Sequence, residues 1–381
     1  MKKYSASIIF AIIVLASISC FYLFFSGRTE IIEDVAITTT HGDEEEIKGV
    51  TIHSHGYNNG VESTATVTSE HAVLQPQMLL NQVAGNASYI DQSMLRILEL
   101  QKEYREFMRR KYSLANLYED DNLLLFANPA HSAKELQVEY YDKVKNQSHK
   151  FTINIPKEYK GYEYINVQGV QFLDQKMAVV MEGEKREGTD LLLAYISLQQ
   201  EKLLESRIVD SVQRDGSSPY FSSSVAQSTE PSRYYPYGYV KQGKGNREQG
   251  YQLRIIDLKT GNLEEVAVPG MSDNSSHHYL KDGSLYFESR KTGALYRVEL
   301  KTATIEEIIQ IEGLEDEYLS NLLVKDDKAY ILYSQYSDNH NGKKAIIYVV
   351  DLVEKKLLYE GFINQSNPAL FNLDFTAITF N

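Results

Sequence analysis

The chain has 381 residues, 43% apolar and 24% charged, the balance of a folded globular protein rather than a disordered one. Thirty-nine basic residues against 52 acidic ones leave −13, which argues against a nucleic-acid partner. The single cysteine excludes an intrachain disulfide framework and every multi-cysteine metal motif, while 28 Tyr and 14 Phe without Trp give a β-leaning aromatic supply.

Lys2 and Lys3 precede an uncharged run from Tyr4 to Gly27, whose apolar heart is Ile8 to Phe25. At about 1.5 Å per residue, a helix of that length matches a bilayer core of about 30 Å. Arg28 is followed by Glu30, Glu33, Asp34 and Asp43 to Glu46, so the positive-inside rule puts the first residues in the cytoplasm. The spacing predicts a cytoplasmic tail at 1–6, a single transmembrane signal-anchor at 7–27 and an extracytoplasmic remainder in the cell membrane. Ser17-Ile18-Ser19 offers a small-x-small cleavage triplet, but Phe21 to Phe25 carry the apolar run past it. Cys20 lacks the upstream Leu of a lipoprotein box, since Ser17 stands there, and reads as a small apolar residue of the anchor.

Residues 28–75 are polar, a stalk with strand-like pieces at Val35 to Thr39, Ile47 to His53 and Thr64 to Val67. The segment 76–112 reads as helical. From an N-cap at Asp91, its stripe of Met94, Leu95, Leu98, Tyr104, Phe107, Met108 and Tyr112 keeps the 3.6-residue period. Arg109, Arg110 and Lys111 suit the negative end of that helix, and Glu106 with Arg110 forms an i,i+4 pair. Such a stripe serves either a partner or, the commoner case, the body of its own domain.

From residue 113 to 381 a pattern repeats. A polar turn precedes an apolar strand at Glu119-Asp120-Asp121, Asp174-Gln175-Lys176, Lys281-Asp282-Gly283 and Lys325-Asp326-Asp327. An alternating strand then closes on a polar residue at Asp142, Ser197, Asp257, Glu299 and Asp351. Units of this size, with about four strands each, suit β-propeller blades, which hide one another's apolar faces by stacking. The hairpin Ile255-Ile256-Asp257-Leu258-Lys259-Thr260-Gly261 resembles the inner hairpins of the PQQ-like and YVTN-type propeller families. Val298 to Ala303 keeps the pattern with Glu for Asp and Ala for Gly, and Val350-Asp351-Leu352 keeps its first half. The resemblance spans roughly residues 115 to 365 and implies architecture alone, because such propellers host many functions. The fold class expected is mainly β, a propeller-like domain of about six blades with one amphipathic helix. Leu370 to Phe375 and Ala377 to Phe380 are predicted to pair with strands from residues 35–75 and complete the sixth blade from both chain ends.

Chemistry is harder to place. His53 and His55 share one strand face and begin a zinc-like pattern, but no third ligand follows at a telling spacing, so surface histidines are the better reading and no metal or cofactor is expected. His277-His278 would point to opposite faces, and the acidic turns, like Asp338 to Gly342, lack a calcium loop's ligand alternation. No nucleophile elbow, phosphate loop or metalloprotease helix occurs, and a glycosidase carboxylate pair cannot be located among so many acids. Residues 211–250 mix Ser217, Ser218 and Ser222 to Ser224 with Tyr220, Phe221, Tyr234, Tyr235, Tyr237 and Tyr239. Tyr and Ser together make adaptable contact surfaces, so Tyr220, Tyr234, Tyr235 and Tyr237 are candidate ligand or partner contacts. The bland alternative is that Tyr235 to Val240 is an ordinary strand of the third blade beside a mobile serine insertion. The function expected is a membrane-tethered, non-enzymatic binding domain for another envelope or membrane protein. The alternative is an exported carbohydrate-active hydrolase or lyase using funnel carboxylates.

Overall fold

Turn chemistry sets the repeat. In a computed structural model, Asp174-Gln175, Asp282-Gly283 and Asp326-Asp327 all have positive φ, between 47° and 77°. A tight two-residue hairpin requires this pair of left-handed residues. Asp120 does the same work differently, its Oδ1 accepting the backbone N–H groups of Asn122 and Leu123, both at 2.8 Å. The closing polar residues are turn caps. Asp142 accepts Lys145 N–H at 2.9 Å, Ser197 accepts Gln200 N–H at 3.1 Å, and Asp257 accepts Lys259 N–H at 2.9 Å. Asp351 accepts both Val353 and Glu354 N–H at 2.8 Å. Glu299, one methylene longer, instead accepts from Ser284 Oγ. Four residues after each cap stands a residue with φ between 50° and 67°: Asn146, Glu201, Gly261, Ala303 and Lys355. Thus the five weakly similar sequence units are five copies of one turn.

The structure describes residues 10, 12–19, 30–33, 35–58, 61–76, 92–129, 135–156, 161–213, 220–222, 229–242, 248–268, 278–289, 292–311, 317–335, 345–365 and 372–380. Among them the strands form six antiparallel sheets. Sheet one is the meander Leu117–Glu119, Leu123–Pro129, Glu135–Asp142 and Gln147–Asn154. Sheet two is Tyr164–Leu173, Lys176–Lys185, Gly188–Ser197 and Lys202–Gln213. Sheet three is Tyr220–Ser222, Tyr234–Gln242, Glu248–Asp257 and Leu263–Val266, and sheet four is His278–Lys281, Ser284–Ser289, Ala294–Glu299 and Thr304–Gln310. Sheet five runs Glu317–Lys325, Lys328–Gln335, Ala345–Asp351 and Lys356–Gln365, then adds Val35–Gly42. Sheet six takes the C-terminal Asn372–Phe380, then Val50–Asn58, Val61–Val67, Ala72–Pro76 and Glu30–Ile31.

The expected pairing of the chain ends is therefore observed, with Ile378 opposite Ile52 and Phe375 opposite Ser54. A bulge between Phe375 and Ala377 explains why one strand looks like two pieces in sequence. The polar stretch after residue 28 contributes strands to both sheets.

The chain divides into two compact units, one of residues 93–331 and 350–356, the other of 1–92, 332–349 and 357–381. Within the first, successive sheets share apolar layers. Leu125 and Val138 of sheet one meet Val179 and Leu192 of sheet two. The alternate residues of sheet two, Val180 and Leu193, pack with Tyr235, Tyr237 and Ile256 of sheet three. Leu253 and Ile255, in turn, pack with Leu285, Phe287 and Val298 of sheet four. Because sheet two is covered on both faces, Met177 to Met181 and Leu191 to Ala194 are continuously apolar and buried. Each fully buried Leu or Val side chain there contributes about 1.5–3 kcal/mol.

The other face of sheet one is covered by the helix Gln92–Glu103, through Ile97 and Leu100 against Leu117, Leu124 and Phe126. This departs from the expected helix in two ways. The buried stripe is Ile97, Leu100, Phe107 and Met108, while Leu98 and Tyr112 are exposed. The helix also ends at Glu103 rather than running to residue 111, and Arg110 has φ of 64°. The turn that follows is pinned by Lys111, a buried cation that donates to Phe107 O and to Glu139 Oε2 and lies 4.3 Å from the Phe107 ring centroid. Arg109 pairs with Glu106, in place of the expected partner Arg110. The proposed N-cap, Asp91, lies outside the described residues.

Residues 12–19 are helical and exposed. Among the described residues no helix is long and apolar enough to cross a membrane; residues 7–9, 11 and 20–27 of the expected span lie outside them.

Candidate functional site

The tyrosine-rich segment folds as the second strand of sheet three, with Pro236 opposite Ile255 and Tyr220 opposite Val240. Alternation then sends Tyr235, Tyr237 and Tyr239 to the face shared with sheet two. Tyr235 and Tyr237 are 4% and 1% exposed, so both rings are core elements rather than free contact surface. Gly169 makes room for Tyr235: a Cβ there would lie 2.4 Å from the ring. The Tyr235 hydroxyl donates to Gln168 O at 2.9 Å. Tyr237 donates to Asp210 Oδ2 at 2.5 Å, and the same oxygen accepts Arg254 Nη1 at 2.6 Å. Arg254 also reaches Glu265 at 2.7 Å and lies 3.9 Å over the Tyr239 ring. Burial pushes both phenols up, and for Tyr237 the Asp210 hydrogen bond adds to it, so both stay protonated donors. This arrangement clamps two sheets together with one shared carboxylate.

Tyr234 faces the other way, half-buried, with the Arg233 guanidinium 5.3 Å from its ring. Arg233 donates twice to Asp257, at 2.9 and 2.6 Å, and holds that carboxyl down to about 2. The side chain of Tyr220 and residues Ser217, Ser218, Ser223 and Ser224 lie outside the described residues, as do His277 and the loop Asp338 to Gly342.

His53 and His55 are half-buried on the strand Val50–Asn58. His53 Nε2 is hydrogen-bonded to Thr379 Oγ1 at 2.7 Å, and burial lowers its imidazole below the ordinary value. His55 lies opposite Asp374 and Thr64 in the two neighbouring strands. Among the described residues no group of three or more His, Cys, Asp or Glu side chains is placed to hold a metal ion.

Two arrangements had no place in the sequence reading. Glu182 accepts from Gln168 Nε2 at 2.6 Å, and burial, reinforced by Glu184, pushes its carboxyl above the usual range. Gln168 is the extra residue of a bulge between Val167 and Gly169, and the glycine inside that strand was its one visible signal. The second is a strap at residues 229–232. Glu119 N–H donates to Thr229 O at 2.9 Å; Gln171 donates to Glu230 O at 3.0 Å and accepts Ser232 N–H at 2.7 Å. One short segment thereby joins sheets one, two and three. Burial raises the Glu230 carboxyl and, with Glu230 and Asp282 nearby, pushes the Tyr279 phenol up to about 12.

No protein-family model and no curated protein matches the chain. Among solved structures, a chain from a nidogen/laminin complex aligns over 86% of this chain and 97% of its own length, at 9% identity and a TM-score of 0.33. A likeness that low carries no argument about architecture or activity.

Proposed function

We propose that this chain is a membrane-tethered extracytoplasmic binding domain, a non-enzymatic sensor, regulator or envelope assembly factor whose partner is another envelope or membrane protein. Its architecture on this reading is a β-propeller of about six blades, of the PQQ-like or YVTN type. The observation that carries the tethering is the N-terminal segment, where Phe10, Ile12, Ile13, Leu15 and Ile18 are all exposed on helical turns inside the uncharged run Tyr4 to Gly27. Exposed apolar helix surface of that kind seeks lipid or another protein. The propeller reading is supported by consecutive four-stranded meanders that share apolar layers and by a sheet built from both chain ends.

Mild cross-linking in the native membrane, followed by purification of the full-length chain, tests the reading. A single stoichiometric membrane protein is the expected result; a chain that stays in the soluble fraction overturns it. A cytoplasm-only reporter fused after residue 381 should be silent.

A second reading, an exported carbohydrate-active hydrolase or lyase, is favoured by the raised carboxyl of Glu182 beside Glu184. A general acid needs such a shift. It requires that Glu182→Gln abolish cleavage of an envelope polysaccharide by the purified chain.

A further inference from the structure

Sheet six is where the N-terminal run enters the fold. Its edge strand, Glu30–Ile31, pairs antiparallel with Ala72–Pro76, with Glu30 opposite Leu74 and Ile31 opposite Val73. Ile32 N–H then donates to Ala72 O at 2.9 Å. The chain therefore arrives from the Pro76 side and runs toward the turn at 68–71. Register carries that direction across the sheet. At one end Pro76 stands opposite Ser63, Val61 opposite Asn58, and Tyr57 opposite Asn372. At the other end Ala72 stands opposite Val67, and Val50 opposite Phe380.

We propose that the first of these ends faces the bilayer and the second faces away, an inference that rests on the tethering proposed above. Chain length is the first argument. The apolar run closes at Phe25, and the five residue steps from there to Glu30 span at most about 18 Å. With the second end toward the bilayer, the chain would have to rise from the level of Glu70 to that of Leu74, about 13 Å in strand geometry. It would then have to reverse before pairing downward as Glu30–Ile31, and too little chain remains for that reversal. Entry from the Pro76 side needs none.

Charge is the second argument and is independent of the first. The second end gathers exposed carboxylates at Asp43, Glu44, Glu45 and Glu70, with Glu46 half-buried beside them. Lys48 Nζ lies 3.0 Å from Glu45 Oε2, and Glu70 is close enough to act on the same ammonium, which brings the two acidic turns to one end of the sheet. Carboxylates at this density are repelled by the anionic headgroups of a membrane, and a lysine that is already paired offsets little of that. Around the first end the sequence from Gly56 to Val61 carries no charge.

The test uses the full-length chain carrying Cys20→Ser, in phosphatidylcholine vesicles with an energy acceptor on the lipid headgroup. Dyes on single cysteines, from Asn58→Cys or Glu70→Cys, mark the two ends, about 23 Å apart along the strand from Val61 to Thr68. Transfer from Asn58→Cys should exceed that from Glu70→Cys by roughly two-fold or more, and Glu45→Cys should match Glu70→Cys. Unchanged melting controls for folding, and Ser63→Cys, opposite Pro76, replaces Asn58→Cys if that variant melts early. Equal transfer from the two ends, or more from Glu70→Cys, in a chain that stays with the vesicles overturns the placement alone. A chain that alkaline carbonate strips from the vesicles overturns the tethering, and the placement with it.

Discussion

Sheets one to four have four strands each and sheets five and six have five, and the two groups draw on the chain differently. In the first group every strand pairs with its neighbour in sequence, so each contact within a sheet is local in the chain. In the second group the pairing reaches across the whole chain, Val35 to Gln365 and Thr51 to Thr379. Local turns help set register wherever sequence neighbours pair, in sheet five at Asp326-Asp327 too, whereas at the two long-range pairings only side-chain packing across the strands can choose it. Ile52, Val67, Leu74 and Ile378, buried on one face of sheet six, make that choice.

Removing residues 372–381 is the severest way to break this contrast. It uncovers the strand Val50–Asn58 and exposes the partners of Leu373, Phe375 and Ile378, at a cost upward of about 5 kcal/mol. Hydrogen exchange should show lost protection at Val50–Asn58 while Leu191 to Ala194 stay protected. Equal loss in both places would mean that the two groups fold as one. Next in size is Lys111→Ala, which leaves Glu139 without its buried partner and frees the turn after the helix. Chemical denaturation should show a loss of about 3 kcal/mol, against a small change for exposed Lys102→Ala.

Two glycines sharpen the comparison directly. Gly42, with φ of 86°, has its would-be Cβ 1.9 Å from the backbone oxygen of Leu358, which pairing holds in place. Gly261, with φ of 67°, meets only the flexible end of Arg207, at 2.0 Å. Gly42→Ala should therefore cost about 3 kcal/mol and Gly261→Ala about 1 kcal/mol by denaturant midpoint. Reversed values would show that the long-range sheet yields more easily than the local one.

Acid should separate the groups most gently. Burial lowers the imidazole of His53, so its stabilising neutral form is present above about 6.5 and lost as pH falls through the depressed value. In sheet three the depressed carboxyl is Asp257, whose contribution is complete above about 4 and lost on the way down to about 2. Exchange at Ile52 to Ser54 should quicken as pH falls below about 6.5, and exchange at Leu258 only below about pH 4, the latter effect under about 1 kcal/mol.

Much of the repeat was legible because it is written in turns. Asp142, Ser197, Asp257 and Asp351 bond to backbone two or three residues ahead, a chemistry that needs nothing distant. The helix was legible as a helix but not in its face or its end. Ile97 and Leu100 are buried by sheet one, and Lys111 ties the turn after the helix to Glu139, 28 residues away. The tyrosines show the same limit. Their alternation marks a strand, yet whether Tyr237 greets a ligand or the core depends on Asp210 and Arg254 from neighbouring strands.

What the amino-acid order determined by itself is the strand content, the hairpin turns and the uncharged N-terminal run, all set by interactions within a few residues. The tertiary structure alone decided which faces are buried and which residues stand opposite one another where the two chain ends meet. Those outcomes depend on which strands stack and where each register slips, and short-range patterns cannot encode that because burial is a property of neighbours far along the chain.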